Sequence, residues 1–447
     1  MSRSCWWRSQ RGAHGLEHAQ HVALLVSALA CSSAEPPDNG GSTASGATAI
    51  GGANPGGAGA AAGGLGSSSA GGVGGTGFGG ALGDGGSSPS TAGSSSSGGT
   101  AGSSGGTAGS ISGTAGSGSG AAGSGSGAGS PGVRLVGRRS PVGTAARFGW
   151  PGVALEARFK GTRATIQLDD GNHQNAFEVV IDDRPPTKLR TTAGETSYPI
   201  ATGLADGEHR ILVWKSTEVF DTGNTDYLGL GDFGAGGELL PPPPAPERRI
   251  EVIGDSISVG AGLEGGAANC GANKSSTDNY YAYGSVAARA LGADISTIAY
   301  SGIGVYRSYG GADLTMPQRY DRALPSVDGA WDFSQYQPHV VVITLGTNDF
   351  GSGNPGRAFV DAYVSFAKHV RSKYPSAYLM LAAMYGNQEG PIGDVASELK
   401  SGGETKVATL TFSSVQNNKG CAQHPDKSAQ QAMGELLTTR IKAVMSW

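Results

Sequence analysis

From about Arg248 to Trp447, short apolar runs alternate with helical stretches, and no other feature restricts the possible fold as much. Residues 249–253, 295–299, 340–345, 378–384 and 407–412 are brief and rich in β-branched or other apolar side chains, the pattern of strands buried on both faces. Residues 280–291 read as a helix. Phe359, Tyr363, Phe366 and Val370 keep helical spacing, as do Met433, Leu437, Ile441 and Val444. Strands alternating with helices predict an α/β layer with a parallel sheet and helices on both faces. Parallel strands place all their carboxyl ends on one edge, where open α/β sheets bind ligands.

Four polar blocks fall at such ends. The first is Ile253-Gly254-Asp255-Ser256-Ile257-Ser258-Val259-Gly260. Gly254 lets the chain turn without a Cβ clash, and Ser256 stands where a strand gives way to a helix. Unpaired N–H groups at that helix start can receive a developing oxyanion. The tripeptide by itself also fits a turn whose Ser merely caps the helix. Tyr300-Ser301-Gly302-Ile303-Gly304 follows the second strand and Gly346-Thr347-Asn348-Asp349 the third. Cys421-Ala422-Gln423-His424-Pro425 precedes the last helix. One edge thus collects a Ser hydroxyl, a Gly N–H, an Asn amide and an imidazole, the inventory for acyl transfer. His339 opens a strand and His369 lies within a helix, so both read as structural. No His, Cys and carboxylate cluster has zinc spacing, and neither a metal nor a cofactor is expected.

Ahead of this layer, residues 133–247 carry period-two runs: Val153, Leu155, Ala157 and Phe159; Ala164, Ile166 and Leu168; Phe177, Val179 and Ile181; then Ile211 and Val213. Turn signals separate them, which predicts an all-β sandwich. Asp169-Asp170-Gly171-Asn172 reads as a hairpin turn, since the later Glu of a calcium loop is missing. Trp214 reads as core in preference to a ligand platform. Leu239 to Pro246, with four consecutive prolines, reads as an extended spacer before the next domain. Residues 32–132 are almost entirely Gly, Ser, Ala and Thr and hold much of the chain's 78 Gly. Such a segment cannot bury a core and reads as a flexible linker with a reach of roughly 50–60 Å. At the start, Arg3, Arg8 and Arg11 precede an apolar run that ends at Cys31, too short to span a bilayer but suited to an export signal. Residues 1–31 resemble a lipoprotein signal in which Cys31 becomes the lipidated terminus; an ordinary secretory signal cleaved nearby is the other reading. Net charge is −4 with 15% charged residues and no basic stripe, which speaks against nucleic acid and against attraction to an anionic membrane. Cys5 leaves with the signal and Cys31 is lipidated or removed. Cys270 and Cys421 remain, and in an exported chain they are expected to form a disulfide, with two free thiols as the alternative.

With these blocks in order, the chain resembles the SGNH (GDSL) hydrolases, with Ser256, Gly302, Asn348 and His424 at the four positions that define them. More narrowly, residues 133–447 resemble carbohydrate esterase family 2. The likeness rests on Asp278-Asn279-Tyr280-Tyr281-Ala282-Tyr283-Gly284, Trp331-Asp332-Phe333, Leu345-Gly346-Thr347-Asn348-Asp349 and the Cys421 to Pro425 turn. The resemblance implies a flavodoxin-like SGNH esterase domain over 248–447, joined to a jelly-roll-like sandwich over 133–247. It implies removal of acetyl groups from plant polysaccharides by Ser256 as nucleophile and His424 as general base. Ser256, Gly302 and Asn348 would then form the oxyanion hole. The chain departs from the pattern in one place: many members carry an Asp three residues before the His, where this sequence has Cys421. Some members of the family resemble this arrangement and use a Ser–His dyad, with a backbone carbonyl on Nδ1–H. Asp426 is the alternative orienting acid, although Pro425 restricts that turn.

The expectation is therefore an exported, monomeric carbohydrate O-acetyl esterase whose partner is an acetylated polysaccharide or oligosaccharide and whose membrane contact is a lipid anchor alone. A non-catalytic carbohydrate-binding protein, and a lipase or thioesterase on the same fold, are the competing readings.

Overall fold

In this computed structural model the described residues are 132–171, 174–266, 269–311 and 314–447. The stretch read as an export signal, Cys31 and the segment read as a linker, as far as residue 131, lie outside them.

The first layer is built from strands β1 (Val133–Val136), β2 (Ser140–Val142), β3 (Ala145–Phe148), β4 (Ala154–Gly161), β5 (Ala164–Asp169), β6 (Ala176–Ile181), β7 (Thr187–Arg190), β8 (Ser197–Ala201), β9 (Gly207–Lys215), β10 (Thr225–Gly231) and β11 (Glu238–Leu240), with a short helix α1 (Val219–Thr222) between β9 and β10. They form two antiparallel sheets, ordered β1-β4-β9-β6-β7 with β11 added to β4, and β2-β3-β10-β5-β8. Alternation explains the sandwich: in β5, Ala164, Ile166 and Leu168 are buried while Gln167 and Asp169 face out, and Leu155, Phe159, Phe177, Val179 and Val213 supply the opposing core. The turn after β5 is not the hairpin read from the sequence, because β5 pairs with β8 and β10 while the chain crosses to β6 in the other sheet. Asp169 Oδ1 accepts the Gly171 N–H at 3.0 Å, while Asp170 accepts from Asn175 N at 3.0 Å and from the Thr191 hydroxyl. The stretch read as a spacer begins inside β11, which pairs with β4. Leu239 could be drawn into the sheet because its side chain packs on the sandwich core.

The second layer follows: β12 (Arg248–Gly254), α2 (Ser256–Val259), α3 (Tyr283–Leu291), β13 (Ala293–Ala299), α4 (Met316–Arg319), β14 (Val340–Thr344), α5 (Thr347–Phe350), α6 (Arg357–Lys373), β15 (Tyr378–Ala383), α7 (Gly386–Ser401), β16 (Val407–Thr411) and α8 (Lys427–Met445). Its sheet is parallel throughout, ordered β13-β12-β14-β15-β16. Every residue of β14 is buried, as a central strand covered on both faces requires. Val340 and Val342 join the cluster of Tyr283, Leu291, Met433, Leu437 and Ile441. Val341 and Ile343 join Phe359, Tyr363, Phe366 and Val370 on the other face. The helix read over 280–291 is interrupted: Asn279–Tyr281 is a single 3₁₀ turn, Ala282 is extended, and α3 starts only at Tyr283. Helix α7 was not legible in the sequence because Gly386, Gly390, Gly393 and Pro391 all argue against a helix; packing of Ile392, Val395, Ala396 and Leu399 holds it.

The two layers are welded together. Arg138, fully buried, reaches from the sandwich to Glu251 of β12 at 3.4 Å and to the Tyr320 and Arg322 carbonyls, beneath the Tyr320 and Phe333 rings. Trp214 is buried and donates to Asn279 Oδ1 at 3.2 Å, and Trp150 Nε1 donates to the Ala323 carbonyl at 3.1 Å. The sandwich and the α/β layer thus share buried polar contacts at these three places.

Candidate active site

The chain order changes direction at β12, whose neighbours are β13 on one side and β14 on the other. That makes the carboxyl end of β12 the switch-point crevice. Gly254 ends the strand there. A Cβ on it would come within 2.0 Å of Ser258 Oγ, so only glycine permits the tight turn into α2. Asp255, not Ser256, caps the helix: its Oδ1 accepts the Ile257 N–H at 3.0 Å. Burial pushes the Asp255 carboxyl up to about 7. With the cap supplied by its neighbour, Ser256 keeps its hydroxyl for other work, and its Oγ lies 2.8 Å from His424 Nε2.

His424 is set by an unusual turn. Ala422 and Gln423 both take left-handed backbone conformations, with φ of 52° and 60°, which cost energy for residues with a Cβ. Other contacts enforce that turn. Cys421 N donates to the Gly262 carbonyl at 2.9 Å, Ala422 N to the Cys270 carbonyl and Gly420 N to the His424 carbonyl, and a disulfide joins Cys270 to Cys421. The ring's Nδ1 faces the Cys421 carbonyl at 3.1 Å. Since a carbonyl only accepts, this contact places the proton on Nδ1 and leaves Nε2 a lone pair toward Ser256. Burial lowers the imidazole pKa below 6.5, and the Cys421 and Ala422 carbonyls offset only part of that. Asp426 does not reach the ring. It caps α8, accepting from Ala429 N at 2.9 Å, Ser428 Oγ at 2.6 Å and Asn417 Nδ2 at 3.0 Å.

The other two blocks converge on the same crevice. Gly302, at φ 79°, holds a backbone geometry that other residues adopt at a cost. Asn348 Nδ2 donates to the Ile303 carbonyl at 2.7 Å, which leaves its second N–H for a ligand. Asp349 is fully buried and accepts the N–H groups of Val305, Tyr306 and Arg307 at 3.0, 2.7 and 2.9 Å; it braces the loop that follows Gly302. Ser256, Gly302, Asn348 and His424 line one cleft of about 520 Å³. Tyr309, Tyr385 and Glu218 line it too, and none of these three was singled out in the sequence. Tyr309 is 75% exposed at the rim. His339 and His369 lie elsewhere: Nδ1 of the first accepts the Arg249 N–H at 3.2 Å, and Nε2 of the second pairs with Asp321 at 2.7 Å. Glu178, Glu264 and Asp278 come close enough together to suggest a cation site, but the Lys188 ammonium sits among them at 3.3, 2.7 and 2.7 Å.

Residues 135–243 match the family model described as Carbohydrate esterase 2 N-terminal, and residues 252–405 match that of the GDSL-like Lipase/Acylhydrolase family. An acetylxylan esterase / glucomannan deacetylase of Cellvibrio japonicus is 31% identical over 313 residues, covering 66% of this chain and 85% of that protein. The chain belongs to carbohydrate esterase family 2. The cellulase/esterase CelE of Acetivibrio thermocellus is 35% identical over 310 residues, but this chain spans only 38% of its length. A solved family two carbohydrate esterase from Clostridium thermocellum, in complex with cellohexaose, superposes with a TM-score of 0.67 at 32% identity, covering 71% of this chain and all of that one. In this family 2 esterase the second match stops before His424, so the imidazole is identified by its contact with Ser256. Among the described residues no helix is long and apolar enough to cross a membrane.

Proposed function

We propose that this esterase removes acetyl groups from plant polysaccharides or their oligosaccharides through a serine acyl-enzyme. The 2.8 Å contact between Ser256 Oγ and His424 Nε2, at the switch-point crevice, carries this reading. Ser256 Oγ attacks the acetyl carbonyl while His424 Nε2 takes its proton. The carbonyl oxygen becomes an oxyanion, received by the Ser256 and Gly302 N–H groups and the free Asn348 N–H. The Cys421 carbonyl holds the imidazolium through Nδ1–H, so a Ser–His dyad suffices. Collapse expels the sugar oxygen, which takes the proton from Nε2. Water, deprotonated by the same nitrogen, then attacks the acetyl-Ser256 ester and releases acetate. Tyr309 offers an exposed ring against which a sugar face can stack.

The support for an acetylated glycan is twofold: Tyr309 and Tyr385 line the cleft, and two relatives named for acetylxylan and glucomannan deacetylation are 28% and 31% identical to this chain. We read residues 1–31 as an export signal, Cys31 as a lipid attachment point and residues 32–132 as a tether, with the folded part acting as a monomer.

The test is acetate release from acetylated xylan and glucomannan, with p-nitrophenyl acetate and longer acyl esters for comparison. Ser256→Ala should lose at least about 10⁴-fold in turnover while still binding cello-oligosaccharide. A preference for long acyl chains would favour a lipase. Glycan binding by the wild type without any turnover would favour a binding protein.

A further inference from the structure

The structure assigns Glu218 of the sandwich layer as a positioning residue for the oxyanion loop of the α/β layer. The assignment rests on the serine-esterase reading above and deepens it.

Glu218 follows β9 and lies in the cleft wall, 2% exposed. Its Oε2 accepts the Ser301 N–H at 2.8 Å and its Oε1 accepts the Ser301 hydroxyl. Ser301 immediately precedes Gly302. Glycine has no side chain with which to anchor its own peptide plane, so the direction of the Gly302 N–H depends on what holds its neighbours. The Tyr309 N–H fixes the Gly302 carbonyl at 2.7 Å on the far side. On the near side, the bidentate grip of Glu218 on Ser301 supplies the second point.

Glu218 is itself fixed. The Thr222 hydroxyl donates to its carbonyl at 2.7 Å. The preceding residue, Thr217, accepts from the buried Lys215 ammonium at its carbonyl, 2.6 Å away, and donates to Asn175 Oδ1 at 2.8 Å. Ser216 accepts the Asn279 N–H at 2.9 Å, from the α/β layer. A rigid segment of the sandwich thereby sets the angle of one oxyanion donor.

The role is geometric. A carboxylate in the cleft wall repels a developing oxyanion, so an electrostatic contribution from Glu218 would oppose catalysis. Glutamine reproduces both contacts, its Oε1 accepting the Ser301 N–H and its Nε2 donating to Ser301 Oγ.

The experiment compares full-length wild type, Glu218→Gln, Glu218→Ala and Ser301→Ala, with p-nitrophenyl acetate as substrate and methylboronic acid as a tetrahedral adduct of Ser256. Displacing a catalytic group by about 1 Å costs on the order of 10²-fold. Glu218→Ala should therefore lower kcat by about 10- to 100-fold, leave KM within about twofold, and weaken the boronate by the same factor as kcat. Glu218→Gln should return kcat to within about threefold of wild type, and Ser301→Ala should fall between the two. The acid limb of the pH profile should stay where it is, because burial and the Cys421 and Ala422 carbonyls set the His424 pKa.

Three results overturn the assignment: unchanged kcat in Glu218→Ala, a Gln variant as impaired as Ala, or a change confined to KM. If Glu218→Ala does not fold, the comparison of Glu218→Gln with Ser301→Ala decides by the same criteria. Wild type without ester turnover would sink the esterase reading and this assignment together; normal turnover with an indifferent Glu218→Ala sinks only the assignment.

Discussion

Asp426→Asn separates a dyad from a displaced triad. Burial raises the Asp426 carboxyl, but the bonds from Ser428, Ala429 and Asn417 outweigh it and hold the group below its ordinary range. Those bonds point the carboxylate at the start of α8, while the imidazole Nδ1 faces the Cys421 carbonyl at 3.1 Å. Loss of a true triad Asp lowers turnover by about 10⁴ through the wrong tautomer, equivalent to about 5.5 kcal/mol. In the dyad the backbone carbonyl sets the tautomer and no side-chain substitution removes it. Asp426→Asn should then change kcat on p-nitrophenyl acetate by less than roughly tenfold, or about 1.4 kcal/mol. Asn caps helices nearly as well as Asp, so the urea midpoint should barely move, whereas Asp426→Ala should cost about 1 kcal/mol of stability. The pH profile gives an independent reading. The proposed mechanism needs neutral His424, whose pKa burial places below 6.5, so kcat/KM should rise to its plateau with a midpoint below that value. A neighbouring carboxylate would raise the midpoint instead. A collapse near 10⁴ in Asp426→Asn at unchanged stability, or an acid limb centred above 7, would refute the dyad.

Three further outcomes are expected. Thiol titration of unfolded, unreduced protein should find no thiol at Cys270 or Cys421, whose bridge spans 151 positions; replacing both by Ser should cost about 3–5 kcal/mol and lower kcat by loosening the turn that holds His424. Arg138→Met should lower the unfolding free energy by about 3–5 kcal/mol, because it leaves Glu251 buried without its cation; Arg138→Met combined with Glu251→Gln should recover part of that loss. Burial, then Asp278, raises Glu178 from 4.5 to about 7 against the pull of Lys188. The folded chain therefore holds a proton that the unfolded chain releases, and its stabilisation is lost as pH rises from about 4.5 through about 7. Glu178→Gln should flatten the fall in Tm over that window.

Relative burial explains why the α/β layer was easy to read and the sandwich harder. A central parallel strand such as β14 is apolar at every position, and its meaning does not depend on its partner. The serine, the glycine and the asparagine each follow such a run within a few residues, so their arrival at one edge follows from parallel topology, whereas His424 lies 13 residues beyond β16 and is brought there by the tethered turn before α8. In the sandwich, β4 and β5 alternate cleanly, β6 is buried at nearly every position, and β2, β7 and β11 are short edge strands that are largely exposed or half-buried. Nothing local distinguishes them from loops.

What the amino-acid sequence determined by itself was the order of strand ends and the chemical groups they carry, because apolar periodicity and turn chemistry act over a few residues. It also marked Cys421 as the departure from the usual acid. Tertiary structure decided the rest. Asp255 takes the helix cap that a Gly-Asp-Ser turn could equally have given to Ser256. Asp426 is claimed by the first turn of α8, and a backbone carbonyl, invisible in any sequence, faces the imidazole instead. Glu218 reaches Ser301 across 83 positions and two layers. Contacts of that kind depend on how two separately patterned layers dock, and side-chain reach in three dimensions leaves no periodic trace along the chain.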